Sequence, residues 1–216
     1  MMRTATFDRF GGRCAILLGI GGFVYAILFA FVVAGSPTWV TGLWLTFLLV
    51  GGLLTTVVTV ALYQRLRETD EGVALWSLLL GFSAAVGGIV HAAFQLLSLT
   101  NPISGVTTIG QRTPTDPVGI LRFGLAGVTL LILAVLIVRS QQFPRSLGYL
   151  AYFGGALLVF IYVGRLFDFI TPADKITLIP PFLYGFIVHP LLYVWLGREL
   201  LRTAIPGPAS STASTP

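Results

Sequence analysis

The stretch "ALYQRLRETDEGVALWSLLLGF", Ala61–Phe82, holds most of the information about the fold. A long apolar run ends in it, five charged residues follow within seven positions (Arg65–Glu71), and a second apolar run begins at once. The charges are too few to start a soluble domain and too abrupt for an ordinary amphipathic surface. A segment that leaves a bilayer, turns at the headgroups and re-enters has this pattern. Working outward, six apolar segments each supply the roughly 20 residues that a helix needs to cross a membrane. They cover 14–34, 39–63, 73–97, 118–138, 147–170 and 180–201. None alternates with period two and each is far longer than a strand, so helices are expected. The fold class is therefore an all-α polytopic transmembrane bundle of six helices. No span looks broken in the middle.

Composition agrees. Of 216 residues, 56% are hydrophobic and only 10% charged, with a mean hydropathy of +0.91. Soluble domains carry roughly 25% charged residues, so lipid must solvate most of this chain. The net charge of +5 does not point to nucleic acid, because the basic residues sit between apolar runs and form no stripe. A single cysteine, Cys14, rules out an intrachain disulfide and thiol-rich metal chemistry. The only lysine is Lys175, which excludes a phosphate-cradling G-x-x-x-x-G-K-[ST] loop, and H-E-x-x-H and C-x-x-C are absent too.

Orientation follows from the basic residues in alternate connections. Arg3, Arg9, Arg13, Arg65, Arg67, Arg139, Arg145, Arg198 and Arg202 fall on one side, nine in all, whereas Arg112 and Lys175 fall on the other. Both termini are expected in the cytoplasm of a prokaryotic plasma membrane. Residues 1–13 form a cytoplasmic N-terminal segment in this reading, and 202–216, low in complexity and nearly uncharged, a disordered cytoplasmic tail. The first segment has a basic start, and "VAGS" (Val33–Ser36) resembles a cleavage site, but its apolar stretch exceeds the roughly 7–15 residues of a signal core. It is expected to stay as a span.

The passage Ala61–Phe82 and the segment "RSQQFPRSLGYLAYFGGALL", Arg139–Leu158, with Pro-Arg at a helix start, resemble the second-to-third and fourth-to-fifth helix passages of an uncharacterised prokaryotic membrane family, domain of unknown function 4386. The resemblance covers about a fifth of the chain and implies six spans without a known activity.

Candidate functional residues are the ionisable and polar groups inside spans, where charge costs about 2.5–3.5 kcal/mol at the helix centre on insertion scales. Arg165 and Asp168 are three apart near the outer end of the fifth span and can pair. His91 and Gln95 lie in the outer part of the third span, Arg122 in the fourth, and His189 with Tyr193 in the sixth. Small residues accompany each along its own helical face: Gly81, Ala84, Ala85, Gly88 and Ala92 beside His91, and Gly185 beside His189. Since small residues mark close helix contacts in membranes, an outer-half polar pocket is expected, suited to a small polar or anionic ligand. Arg122 and Arg165 would anchor it, and the histidines could titrate. The alternatives are a haem b electron carrier, with the haem held by His91 and His189, and a non-catalytic structural or interaction subunit of a membrane complex. A serine–histidine pair of Ser83 and His189 lacks any oxyanion signal, so no catalytic site and no metal site are assigned. The expected partners are the lipid bilayer, the small ligand, and a membrane-protein partner or a second copy.

Overall fold

The computed structural model describes residues 5–35, 37–100, 123–167 and 178–203. They form α1 (Ala5–Val33), α2 (Thr38–Leu66), α3 (Glu71–Thr100), α4 (Ala126–Arg139) and α5 (Arg145–Leu166). A composite last span follows: α6 (Ile179–Leu183), a π turn (Tyr184–Val188) and α7 (His189–Thr203). The described residues contain no strand. Five helical stretches are long and apolar enough to cross a membrane: Thr6–Val32, Thr38–Leu66, Glu71–Leu99, Arg145–Leu166 and Ile179–Arg202. The remaining one, Phe123–Arg139, is shorter; the expected start of that span at Val118 lies outside the described residues, as does the expected tail beyond Thr203.

Local chemistry sets the boundaries. Gly35, at φ +82°, ends α1 in the left-handed conformation that suits glycine, and Pro37 precedes α2. Between α2 and α3, Asp70 Oδ1 accepts from the Val73 N–H at 3.0 Å, an N-cap on α3. Pro144 precedes α5. The start of α1 differs from the hydropathy reading, which opened the span at Cys14: the helix already runs from Ala5. The extra turns are held by packing, since Asp8, Gly11 and Gly12 are all buried.

Consecutive helices pack side by side, and α7 returns to α1, so the six helical stretches close a ring in chain order. Two seams bring backbone against backbone closely enough to require glycine. A Cβ on Gly197 would stand 2.6 Å from the Gly12 carbonyl oxygen, and one on Gly19 3.0 Å from the Pro190 carbonyl oxygen, across α1 and α7. Across α4 and α5, Gly127 and Gly155 each face the other's carbonyl at 3.0 and 2.9 Å. Lipid tails are as apolar as leucine, so close backbone approach and dispersion hold such pairs together. The outside is the inverse of a soluble protein: Phe31, Trp39, Leu53, Leu79 and Phe160 are all more than half exposed. Hydroxyls within spans close onto their own helices. Thr55 Oγ1 donates to the Gly51 carbonyl at 2.8 Å and Thr129 Oγ1 to that of Leu125 at 2.7 Å, so neither is left unsatisfied in hydrocarbon. This is the architecture of a multi-pass membrane protein.

One buried ion pair ties α1 to α2. Arg65 Nη2 lies 3.0 Å from Asp8 Oδ2, with both side chains under a tenth exposed. Removing one partner leaves a buried charge uncompensated, at about 3–5 kcal/mol. Asp8→Ala is therefore expected to lower thermal stability strongly, and Asp8→Ala combined with Arg65→Leu to recover much of the loss. Unfolding in detergent, followed by circular dichroism, measures both.

Candidate functional site

The last span does not run as one continuous α-helix, contrary to the expectation that no span is interrupted. Pro190 has no N–H to give to the carbonyl of Phe186, and its ring clashes with a regular turn. The backbone widens into a π turn in which the His189 N–H bonds to the Tyr184 carbonyl, five residues back. This places the His189 ring at the junction of the π turn and α7.

The ring is held on three sides. Tyr193, one turn along, lies 4.5 Å away between centroids at 45°, and Tyr184 stands edge-on at 5.7 Å. On the third side is α1, where a Cβ on Gly22 would collide with Nδ1 and Cε1 of the imidazole. Gly185 repeats the fit one turn earlier, where a Cβ would stand 3.0 Å from the Ala26 Cβ. The face shared by Gly185, His189 and Tyr193, visible as a four-residue spacing, is thus seated on the small residues of α1. The seating buries His189 Nδ1 without a hydrogen-bond partner.

A second ring nitrogen lies in the same condition on the other neighbour of α1. Trp44, on α2, is only 5% exposed, and its Nε1 has no partner. Its indole stacks on Tyr25 at 5.5 Å and leans on Phe29 at 5.9 Å. Phe29 continues to Phe182 at 6.2 Å, and Phe182 to Phe186 at 5.7 Å. An aromatic band therefore joins α2, α1 and the first part of the last span, about one to two turns beyond Gly22 on α1.

The other expected site residues are placed differently. Arg122 and Asp168 lie outside the described residues. Arg165, in the last turn of α5, holds its guanidinium 5.7 Å from the centroid of the Phe123 ring, a cation–π contact. It is eleven residues beyond Gly154, where α5 meets Val188 and Tyr184, so about 16 Å of helix rise separates the two levels. Arg165 and His189 do not share one pocket wall. On α3 the small stripe is buried as expected, at Gly81, Ala84, Ala85, Gly88 and Ala92, while His91 and Gln95 are half-buried. α3 packs on α2 and α4, and α7 on α1 and α5. His91 and His189 thus stand on helices that are not packed neighbours. Ser83 is exposed and donates to the Leu79 carbonyl at 2.8 Å, which removes it from His189. Among the described residues, no three His, Cys, Asp or Glu side chains form a metal-binding group.

Chemically, the cluster offers hydrogen bonding within a sheltered aromatic wall: an indole donor, an imidazole nitrogen and two phenols. Trp44, Tyr184 and Gly22 were missed in the sequence. The available signals were Pro190 directly after a membrane histidine and the Gly19, Gly22, Ala26 spacing in α1.

The seating of His189 on Gly22 predicts a specific coupling. Gly22→Ala overpacks the seam and should destabilise by about 1–3 kcal/mol. His189→Ala in the same chain should relieve most of that loss, a non-additivity readable in a double-mutant cycle of thermal unfolding.

Comparison with protein-family models, curated proteins and solved structures finds no match, so the architecture of a multi-pass helical membrane protein rests on the chain's own sequence and packing.

Proposed function

We propose that the protein binds a small polar or anionic solute within the membrane, at the wall formed by His189, Tyr184 and Tyr193 and extended by Trp44. The observation that carries this reading is the pair of buried ring nitrogens, Trp44 Nε1 and His189 Nδ1, that lack partners on the two helices packed against α1. A buried polar group without a partner costs about 1–3 kcal/mol, and hydrocarbon offers no water to relieve it. A solute with an acceptor for the indole N–H and a matching group for the imidazole supplies both bonds. The wall holds no nucleophile–base pair, so binding or passage of the solute, rather than its conversion, is the activity proposed.

The reading includes six spans in a prokaryotic plasma membrane, with both termini cytoplasmic, supported by nine basic residues against two in alternate connections. With Cys14 replaced by Ala, a cysteine introduced at Ser210 is expected to react with a membrane-impermeant maleimide only after the cells are opened. Labelling in intact cells would reverse the orientation.

The binding test is thermal unfolding of the purified chain against a panel of small anions and neutral polar solutes, with an absorption spectrum taken alongside. At least one solute should raise the unfolding temperature. His189→Ala and Trp44→Phe should each weaken that effect about ten-fold in concentration, as expected for one lost hydrogen bond of about 1.4 kcal/mol. Arg165→Ala, a separate level of the bundle, should leave it unchanged. No response to any solute in the panel defeats the reading, and a haem band in the spectrum would replace it with the bis-histidine alternative.

A further inference from the structure

The tight seam between α1 and α7 has a second consequence at its basic end. Gly12 of α1 meets Gly197 and Leu201 of α7, and Gly19 meets Val194 and Pro190. In that antiparallel register Arg13 stands level with Arg198, and Arg9 with Arg202. Arg13 directly follows Gly12 and Arg198 directly follows Gly197, so each turns about 100° away from the contact. In an antiparallel pair those turns lead to the same side of the seam. The core residues Ala15, Leu18, Leu196 and Leu200 occupy the opposite side, and all four arginines are exposed. Two arginines therefore stand on each lip of a seam whose backbones touch.

Charge around this end of the bundle is uneven. Arg65 is committed to Asp8. The α2–α3 turn sets Arg67 against Glu68, Asp70 and Glu71, and is acidic on balance. Among the described residues, the acid on the α1/α7 face is Glu199, whose Oε1 lies 3.4 Å from Arg202 Nη1 and 3.3 Å from Trp195 Nε1. Four guanidinium groups at one level of the bundle present many donors to an anionic group. A shallow groove on α7, lined by Leu191, Val194, Trp195, Arg198, Glu199 and Arg202, adjoins them. From the arginines toward mid-membrane, the same face is apolar and exposed: Leu17 (56%) and Ile20 (55%) on α1, Leu191 (51%) and Ile187 (57%) on α7.

We infer that the seam of α1 and α7 is a binding site for an anionic phospholipid, with its phosphate among Arg9, Arg13, Arg198 and Arg202 and an acyl chain along Leu17, Ile20, Leu191 and Ile187. Arginine suits the phosphate because its planar donors can grip two oxygens at once. Trp195 lies at the level of the headgroup, where an indole bonded at its N–H is stable. The continuity of the arginines with an exposed apolar track selects a lipid over a free phosphate ion. The site is separate from the His189 wall and does not depend on it.

The test uses the full chain, with phosphatidylglycerol added to phosphatidylcholine nanodiscs, thermal unfolding as one readout, and native mass spectrometry of retained lipid as the other. Phosphatidylglycerol should stabilise the protein and remain bound. Each arginine removed should weaken it roughly five-fold, so R13Q/R198Q should lose it almost completely, while R139Q/R145Q, with the same charge change on the α4–α5 turn, should retain it. Equal loss in both pairs, or stabilisation by inorganic phosphate or glycerol phosphate matching that by the lipid, overturns the proposal. Should R13Q/R198Q fail to fold, R202Q decides alone, since that side chain is 76% exposed: weaker retention supports the site and unchanged retention refutes it.

Discussion

Hydrocarbon cannot accept or donate a hydrogen bond, and most features of this molecule descend from that restriction. Backbone groups must close on themselves, which selects helices. Threonine and serine hydroxyls must find a carbonyl on their own helix, as Thr55, Ser83 and Thr129 do. Helices cannot be driven together by expelling water, so they associate where small residues let backbones touch, at Gly12 with Gly197 and at Gly127 with Gly155. Charges inside the bundle must be matched, and Asp8 with Arg65 is such a match.

The same restriction gives meaning to the departures from it. Two ring nitrogens, on Trp44 and His189, are enclosed without partners. They flank one helix, α1, which seats His189 on Gly22 and Trp44 on Tyr25 and Phe29. The π turn belongs to the same arrangement: Pro190 forces the backbone open, and the opening sets His189 on Gly22 with a tyrosine to either side. A proline, a histidine and a distant glycine thus act as one unit, and each alone is unremarkable in a membrane helix.

Helix α1 carries an unusual share of the organisation. It pairs with α2 through Asp8 and through the stack of Tyr25 on Trp44, and with the last span through Gly12, Gly19, Gly22 and Ala26. One side of its seam with α7 faces the core and the other the lipid. Arginines therefore concentrate on the lipid side at one end, while the polar wall lies deeper in the membrane. The two regions use one helix pair for different chemistry.

Much of this was legible in the residues. Six apolar runs, a charged turn at Arg65–Glu71 and stripes of small residues beside His91 and His189 determine an all-α membrane bundle, because hydropathy and helical spacing are local properties. The face shared by Gly185, His189 and Tyr193 was readable for the same reason. What tertiary structure alone decided is which stripes meet. Nothing in the spacing says that Gly22 receives His189, that Arg165 lies a level apart from it, or that Asp8 reaches Arg65 rather than water. Those outcomes depend on the register of helices distant in the chain, and register is set by the closest fit of surfaces, a property of two helices together that neither one carries alone.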